Sequence, residues 1–81
     1  MLKTPSIAVD PEILSGTPCF ARTRVPVKSL FDYLSRGRSI DYFLEQFPTV
    51  ERHQAADVLE EAGRILASEA ANPVTSVRTK R

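Results

Sequence analysis

Side chains that commonly take part in catalysis are few in this sequence, and they are not spaced for a reaction. The single cysteine, Cys19, lies in an apolar stretch, where a small core residue is expected and a reactive thiolate is not. His53 is the only histidine and has too few neighbouring ligands to build a metal site. Glu60 and Glu61 are adjacent on a predicted helix, so they point in different directions and form no carboxylate dyad. The sequence therefore predicts no catalytic residue, metal, cofactor or small-molecule substrate, and we do not expect an enzyme.

Basic side chains are better candidates for binding, because they gather in one part of the chain. Residues 22–38 carry a net charge of +4, although the whole chain carries only +1. The predicted phosphate-binding residues in this block are Arg22, Arg24, Lys28, Arg36 and Arg38. Cations that converge on a polyanion bind it in a strongly salt-dependent way. Residues 39–70 carry a net charge of −5, so an oppositely charged partner, or simply solvated faces, are alternative interpretations.

Two short β-prone segments near the start of the sequence predict a hairpin-like ribbon over residues 6–22. Residues 6–9 are followed by the turn signal Asp10-Pro11, and residues 19–22 form the second predicted strand. An isolated two-stranded ribbon is marginally stable in water, and its free edges invite pairing with another copy. We therefore expect a homodimer whose interface includes Ile7, Val9, Cys19 and Phe20.

Three helices are predicted after the ribbon, each with apolar residues at helical spacing and with start and stop signals. The predicted starts are Pro26, Ser39 and Thr49, and the predicted stops are Gly37, Pro48 and Asn72-Pro73. The apolar stripes are Val27, Leu30, Phe31 and Leu34, then Ile40, Phe43, Leu44 and Phe47, then Ala55, Val58, Leu59, Ala62 and Leu66. The predicted fold class is mainly α, with an N-terminal two-stranded β-ribbon followed by a three-helix bundle.

The second and third helices are separated by a short connection, which is consistent with a helix-turn-helix. In such a unit the start of the second helix reaches base edges, and arginine and glutamine make bidentate contacts to guanine and adenine. The predicted base-contacting residues are Thr49, Arg52, His53 and Gln54. Glu51 lies among them and would repel DNA, so an ordinary capped surface helix is an alternative interpretation.

The length of 81 residues allows one domain, which we expect to occupy residues 1–71. A core of this size is marginal, and one cysteine with one histidine excludes both an internal disulfide and a Cys/His zinc site, so a partner subunit is expected. Residues 72–81 form a predicted basic tail that could add as a strand to a partner, although a frayed end is the commoner case. The absence of an apolar run long enough for a membrane leads us to expect a cytoplasmic protein without membrane contact.

The spacing of several short motifs resembles that of the domain-of-unknown-function family 433, over roughly residues 7–66. The matching motifs are Ile7-x-Val9-Asp10-Pro11-Glu12-Ile13-Leu14-x-Gly16-x-Pro18, Thr23-Arg24-Val25-Pro26-Val27, Gly37-x-Ser39 and Phe47-Pro48. Members of this family are similar to VapB-type antitoxins and carry a homeodomain-like three-helix unit. One position departs from the pattern, because Arg22 stands where the family usually has glycine before its Thr-Arg pair.

The resemblance implies a dimeric antitoxin of a type II toxin-antitoxin module. Such a protein would neutralise a PIN-like ribonuclease toxin by direct binding and would repress its own operon on double-stranded operator DNA. By analogy with other inhibitors of PIN toxins, the toxin-binding residues would be Arg78, Lys80 and Arg81, with an arginine in the acidic metal site of the nuclease. Two alternatives stay open, namely a stand-alone DNA-binding regulator and a dimeric interaction module that binds no DNA.

Overall fold

A computed structural model describes residues 5–71 of the chain. Its elements are β1 (Ile7–Ala8), β2 (Cys19–Phe20), α1 (Val27–Ser35), α2 (Ile40–Gln46) and α3 (Arg52–Ala71), with one 3₁₀ turn at Leu14–Gly16. The two strands pair antiparallel, and most of the remaining described residues are helical. The predicted class, a mainly helical protein with an N-terminal β-ribbon, is therefore confirmed. The predicted tail at residues 72–81 and the predicted helix end at Asn72-Pro73 lie outside the described residues.

The ribbon is shorter than predicted, with only two paired residues in each strand. Ile7 pairs with Phe20 and Ala8 with Cys19, and an isolated bridge between Cys19 and Pro26 adds a third segment beside β2. Arg22 has a φ of 64°, which ends the second strand in a turn instead of continuing it to residue 22. β2 is therefore flanked on both sides by backbone of the same chain.

Helix α1 is stopped by the predicted glycine, two residues after its last helical residue, Ser35, and it begins one residue later than the predicted proline. Pro26 has an extended ψ of 139° and is the N-cap residue, so the first helical residue is Val27. Gly37 has a φ of 86°, its N–H donates to Leu34 O at 3.0 Å, and the Arg38 N–H donates to Tyr33 O at 3.0 Å. These two bonds form a Schellman motif, which satisfies the last carbonyls of the helix and confirms the predicted stop.

Helix α2 is capped as predicted, whereas α3 starts later than predicted. The Tyr42 N–H donates to Ser39 Oγ at 3.0 Å, so the serine is the N-cap of α2. The Ala55 N–H donates to Glu51 O at 3.2 Å, and the Glu51 N–H donates to Gln54 Oε1 at 2.9 Å. Glu51 is therefore the N-cap of α3 and Gln54 closes the reciprocal half of a capping box, so the prediction that Thr49 caps this helix is wrong.

The core lies between the ribbon and the three helices. Its buried members are Phe20, Leu30, Phe43, Val50, Ala55 and Val58. Phe20 is 0% exposed and Cys19 is 3% exposed, so the prediction that these two residues form a dimer interface is wrong. Their strand is covered by helices of the same chain, whereas Ile7 is half-buried against the core and Val9 is 57% exposed.

Helix α3 is longer than the body on which it packs. Leu66, the last residue of its predicted apolar stripe, is 68% exposed, whereas Ala55 and Val58 are buried. Within residues 5–71, no helix is long and apolar enough to cross a membrane.

Candidate nucleic-acid interface

The start of α3 lies directly against the turn that follows β2. Gln54 Nε2 donates to Ala21 O at 3.1 Å in a buried hydrogen bond between residues 33 positions apart. The next residues along that turn include Arg22 and Arg24, and both are exposed. The fold therefore places two exposed arginines beside the N-terminal end of the helix that was predicted to contact bases.

The turn that carries these arginines is held by Thr23. Its hydroxyl donates to Phe20 O at 2.8 Å and accepts from the Val25 N–H at 3.0 Å, while its own N–H donates to Phe20 O at 3.0 Å. The Phe20 N–H in turn donates to Val25 O at 3.0 Å. Because the turn is closed by four hydrogen bonds, Arg22 and Arg24 are presented from a fixed backbone.

Three of the four predicted base-contacting residues are exposed at the start of α3 or just before it. They are Thr49, Arg52 and His53. Arg52 forms an exposed ion pair with Asp41 of α2, and His53 Nδ1 lies 3.8 Å from Glu51 Oε1.

Gln54 is the exception, and the prediction that it contacts a base is wrong. It is only 1% exposed, its Oε1 accepts from the Glu51 N–H, and its Nε2 donates to Ala21 O. A side chain that is buried, and whose amide oxygen and nitrogen both bond within the protein, cannot reach the edge of an adenine.

The predicted phosphate-binding residues fall into three groups in the structure. Arg22 and Arg24 lie at the turn beside α3, Arg36 and Arg38 lie at the turn between α1 and α2, and Lys28 lies on α1. Lys28 is paired with Asp32 at 2.7 Å, whereas the arginines of the two turns form no ion pair within residues 5–71. The predicted toxin-binding residues Arg78, Lys80 and Arg81 lie outside the described residues.

The turn between α1 and α2 forms one wall of a half-open cleft of about 200 Å³, lined by Tyr33, Arg36, Arg38 and Tyr42. The Arg38 Cζ atom lies 5.1 Å from the centre of the Tyr42 ring, and the rings of Tyr33 and Tyr42 are 5.9 Å apart. The chain reverses direction at Gly37, which brings the end of α1 and the start of α2 to the same cleft.

The two tyrosines were not among the residues predicted to bind anything. They flank the segment Arg36-Gly37-Arg38 in sequence, and aromatic side chains interleaved with basic ones are typical of nucleic-acid-binding surfaces. That pattern was available in the sequence, but only the structure shows that both tyrosines and both arginines line the same cleft.

The comparisons with known proteins agree with this architecture. A family model described as "Protein of unknown function (DUF433)" matches residues 7–62. Among solved structures, the chain is similar to the crystal structure of a DUF433 member protein from Anabaena variabilis ATCC 29413, with a TM-score of 0.62 and 21% sequence identity. The similarity covers 83% of this chain and 69% of that chain, and at this identity it shows a shared fold. The comparison with curated proteins finds no match.

Proposed function

Because this chain belongs to the DUF433 family of proteins of unknown function, we propose a function from its own surface: an antitoxin-like protein that binds double-stranded DNA. The DNA-binding surface is the start of α3 together with the turn that carries Arg22 and Arg24. Neutralisation of a PIN-like ribonuclease toxin is the second part of the proposal.

The observation that carries the DNA-binding proposal is the buried hydrogen bond from Gln54 to Ala21 O, which fixes the basic turn beside the start of α3. In helix-turn-helix proteins the first residues of the second helix contact base edges, while cations on neighbouring segments contact phosphates. In this proposal, side chains at the helix start contact bases and the two arginines of the adjacent turn contact phosphates.

Each exposed residue then has a separate role. Arg52 and His53 contact bases, Thr49 contacts the backbone or a base, and Arg22 and Arg24 contact phosphates. Arg52 leaves Asp41 when it binds DNA, and this exchange costs little because an exposed ion pair stabilises a protein by about 0–1 kcal/mol.

DNA binding is tested by measuring the affinity of the chain for duplex DNA from the region upstream of its own gene at several salt concentrations. We expect the logarithm of the association constant to fall linearly with the logarithm of the salt concentration. The variant R24Q removes one phosphate contact and reduces that slope by about 0.9, whereas K28Q, on α1 and outside the proposed DNA-binding surface, leaves it unchanged. Absence of binding even at low salt would contradict the DNA-binding part of the proposal, and a dimer that binds neither DNA nor a nuclease would be an interaction module.

The toxin-binding part of the proposal is supported by the family resemblance and by the net charge of +3 in residues 72–81. Arg78, Lys80 and Arg81 are its candidate contacts, since a cation can occupy the acidic metal site of a nuclease. Co-purification of the chain from its native cell, with mass spectrometry of small co-eluting proteins, identifies the toxin. A chain that lacks residues 73–81 is then expected to lose neutralisation, and full neutralisation by the truncated chain would exclude the tail. If no nuclease co-purifies while DNA binding persists, the protein is a stand-alone regulator.

A further inference from the structure

The cleft between the end of α1 and the start of α2 has no part in the DNA-binding surface described above. We propose that it binds a phosphate monoester, such as the terminal phosphate of a nucleotide or of a 5′-phosphorylated strand. Its walls are Tyr33 and Tyr42, and its cations are Arg36 and Arg38.

The two arginines have no anionic partner in the part of the chain that the structure describes. Lys28, Arg52 and Arg64 each form an ion pair with a carboxylate, but Arg36 and Arg38 do not. Two guanidinium groups bring two positive charges, and a phosphate monoester carries about −1.5 to −2 at pH 7. A phosphodiester carries a single charge, so the charge of the cleft matches the monoester better.

The position of Arg38 also suits a phosphate. Its guanidinium lies over the ring of Tyr42 at 5.1 Å, an arrangement that combines cation–π attraction with restricted rotation of the side chain. A stacked guanidinium keeps the N–H groups at its edge available, and these form paired hydrogen bonds with phosphate oxygens. The backbone beneath it is fixed by the bond from the Arg38 N–H to Tyr33 O.

The aromatic walls are fixed to different degrees. Tyr33 packs edge-on against Phe43 at 5.6 Å and against Phe47 at 5.5 Å, which anchors its ring in the body of the protein. Tyr42 is 38% exposed, so part of its ring is available to the sugar or base that carries the phosphate. Aromatic side chains beside cations bind nucleotides in this way without base specificity.

The cleft contains its own optical reporter, because Tyr33 and Tyr42 are the only tyrosines and the chain has no tryptophan. Ribose 5-phosphate, which does not absorb in the tyrosine band, is the first ligand to titrate, with ribose and dimethyl phosphate as controls. We expect saturable change in tyrosine fluorescence with ribose 5-phosphate and none with ribose. An equal response to ribose, or dimethyl phosphate binding as tightly as the monoester, would overturn the proposal.

Variants of the exposed arginines locate the site. R36Q and R38Q are each expected to weaken ribose 5-phosphate binding about tenfold, because each removes charge-assisted hydrogen bonds. R38K retains the charge but loses the stacked fork, so its binding is also expected to weaken. K28Q removes one exposed positive charge outside both proposed surfaces, so it is the control and should bind as the unmodified chain does. Equal losses in K28Q and R38Q would indicate nonspecific charge attraction and contradict the assignment.

Two further ligands distinguish the sources of the phosphate. Calorimetry with uridine monophosphate and with a 5′-phosphorylated single-stranded tetranucleotide compares a free nucleotide with a strand end, and removal of the terminal phosphate should abolish binding of either. The outcome is independent of the proposed function. A chain that binds these ligands but no duplex DNA supports the cleft and contradicts the DNA-binding proposal, and duplex binding without monoester binding does the reverse.

Discussion

Arg22 is held in a backbone conformation that favours glycine, with φ at 64°. Left-handed geometry costs a residue that has a Cβ about 1–2 kcal/mol, and the surrounding hydrogen bonds of Thr23 hold the turn in place regardless. The side chain itself is exposed and forms no ion pair within residues 5–71. An exposed arginine at a strained position with no contact that stabilises the fold is consistent with a role in binding.

Replacing Arg22 by glycine is expected to increase the free energy of unfolding by about 0.5–1 kcal/mol. The relief of left-handed strain exceeds the additional entropy that glycine gains in the unfolded chain. Urea denaturation measures the change, and R22A is the matched control, since alanine keeps the strain and should change stability by less than about 0.5 kcal/mol. Both variants lose the same charge and should weaken DNA binding equally, so a difference in affinity between them would contradict a purely electrostatic role.

Gln54 differs from Arg22, because it is a buried polar residue that contributes to stability and not to binding. Replacing it by methionine keeps its volume but leaves the Glu51 N–H and the Ala21 carbonyl without their partner. Each unsatisfied group costs about 1–3 kcal/mol, so we expect Q54M to lower the free energy of unfolding by about 2–6 kcal/mol in thermal or urea denaturation.

The control for Q54M lies two positions earlier in the same helix. Arg52 is exposed, so R52Q should change stability by no more than about 1 kcal/mol, while it weakens DNA binding. Unchanged stability in Q54M, together with weakened DNA binding, would contradict the structural role and restore the original prediction that Gln54 contacts a base.

At the scale of the elements, the sequence predicted a helix boundary correctly where the capping residue acts on backbone close to it in sequence. Ser39 caps α2 by accepting from a residue three positions later, and Gly37 stops α1 through its own φ. The start of α3 was not predictable in this way. Thr49 is a preferred N-cap residue and Glu51 is not, but the Glu51 N–H donates to Gln54, whose amide nitrogen donates to Ala21 O. This contact between distant residues sets the start of the helix.

The burial of the strands also could not be predicted from the residues close to them in sequence. Cys19 and Phe20 have the apolar character of a strand that must be covered, but the sequence does not say whether the covering surface belongs to the same chain or to a second copy. The helices of the same chain cover them here, because Phe20 packs against Phe43 with ring centres 5.9 Å apart. The cleft lined by Tyr33 and Tyr42 was not predicted for a similar reason. It forms only where the end of α1 and the start of α2 come together in the fold.

The two glycines associated with helices predict opposite effects of the same substitution. Gly37 has a φ of 86° and Gly63 lies inside α3, and an added Cβ at either position would meet no atom within 4 Å in residues 5–71 apart from its own chain neighbours. G37A should therefore lower the free energy of unfolding by about 1–2 kcal/mol through backbone strain alone. G63A should raise it by up to about 1 kcal/mol, because alanine has the higher helix propensity.

Circular dichroism during denaturation measures both changes, and each variant is the control for the other. G37A is also expected to weaken ribose 5-phosphate binding, since it disturbs the turn that holds Arg38 over Tyr42, whereas G63A should not. A destabilised G63A would indicate that this part of α3 is covered by a partner in solution.

At the scale of the whole molecule, the ribbon and the far end of α3 each leave apolar surface uncovered in the described part of the chain. Val9 is 57% exposed and Leu14 is 44% exposed on the ribbon side, and Leu66 is 68% exposed on α3. Small domains bury a limited fraction of their surface and commonly gain stability by association. With Cys19 and Phe20 in the core, the residues that remain of the predicted homodimer interface are Val9 and the partly buried Ile7.

An aspartate at Val9 is therefore expected to shift the chain from dimer to monomer in sedimentation equilibrium at micromolar concentration. The substitution places a charge in an apolar interface, where it would be buried without a partner. L66D is the matched control, because Leu66 is at least as exposed but lies on α3, and it should remain dimeric. If L66D is monomeric and V9D is dimeric, the interface lies at the end of α3 and not at the ribbon. If the unmodified chain sediments as a monomer, the prediction of a homodimer is contradicted. Neither substitution should unfold the chain, since both side chains are exposed in the fold, so a change in mass reports association alone.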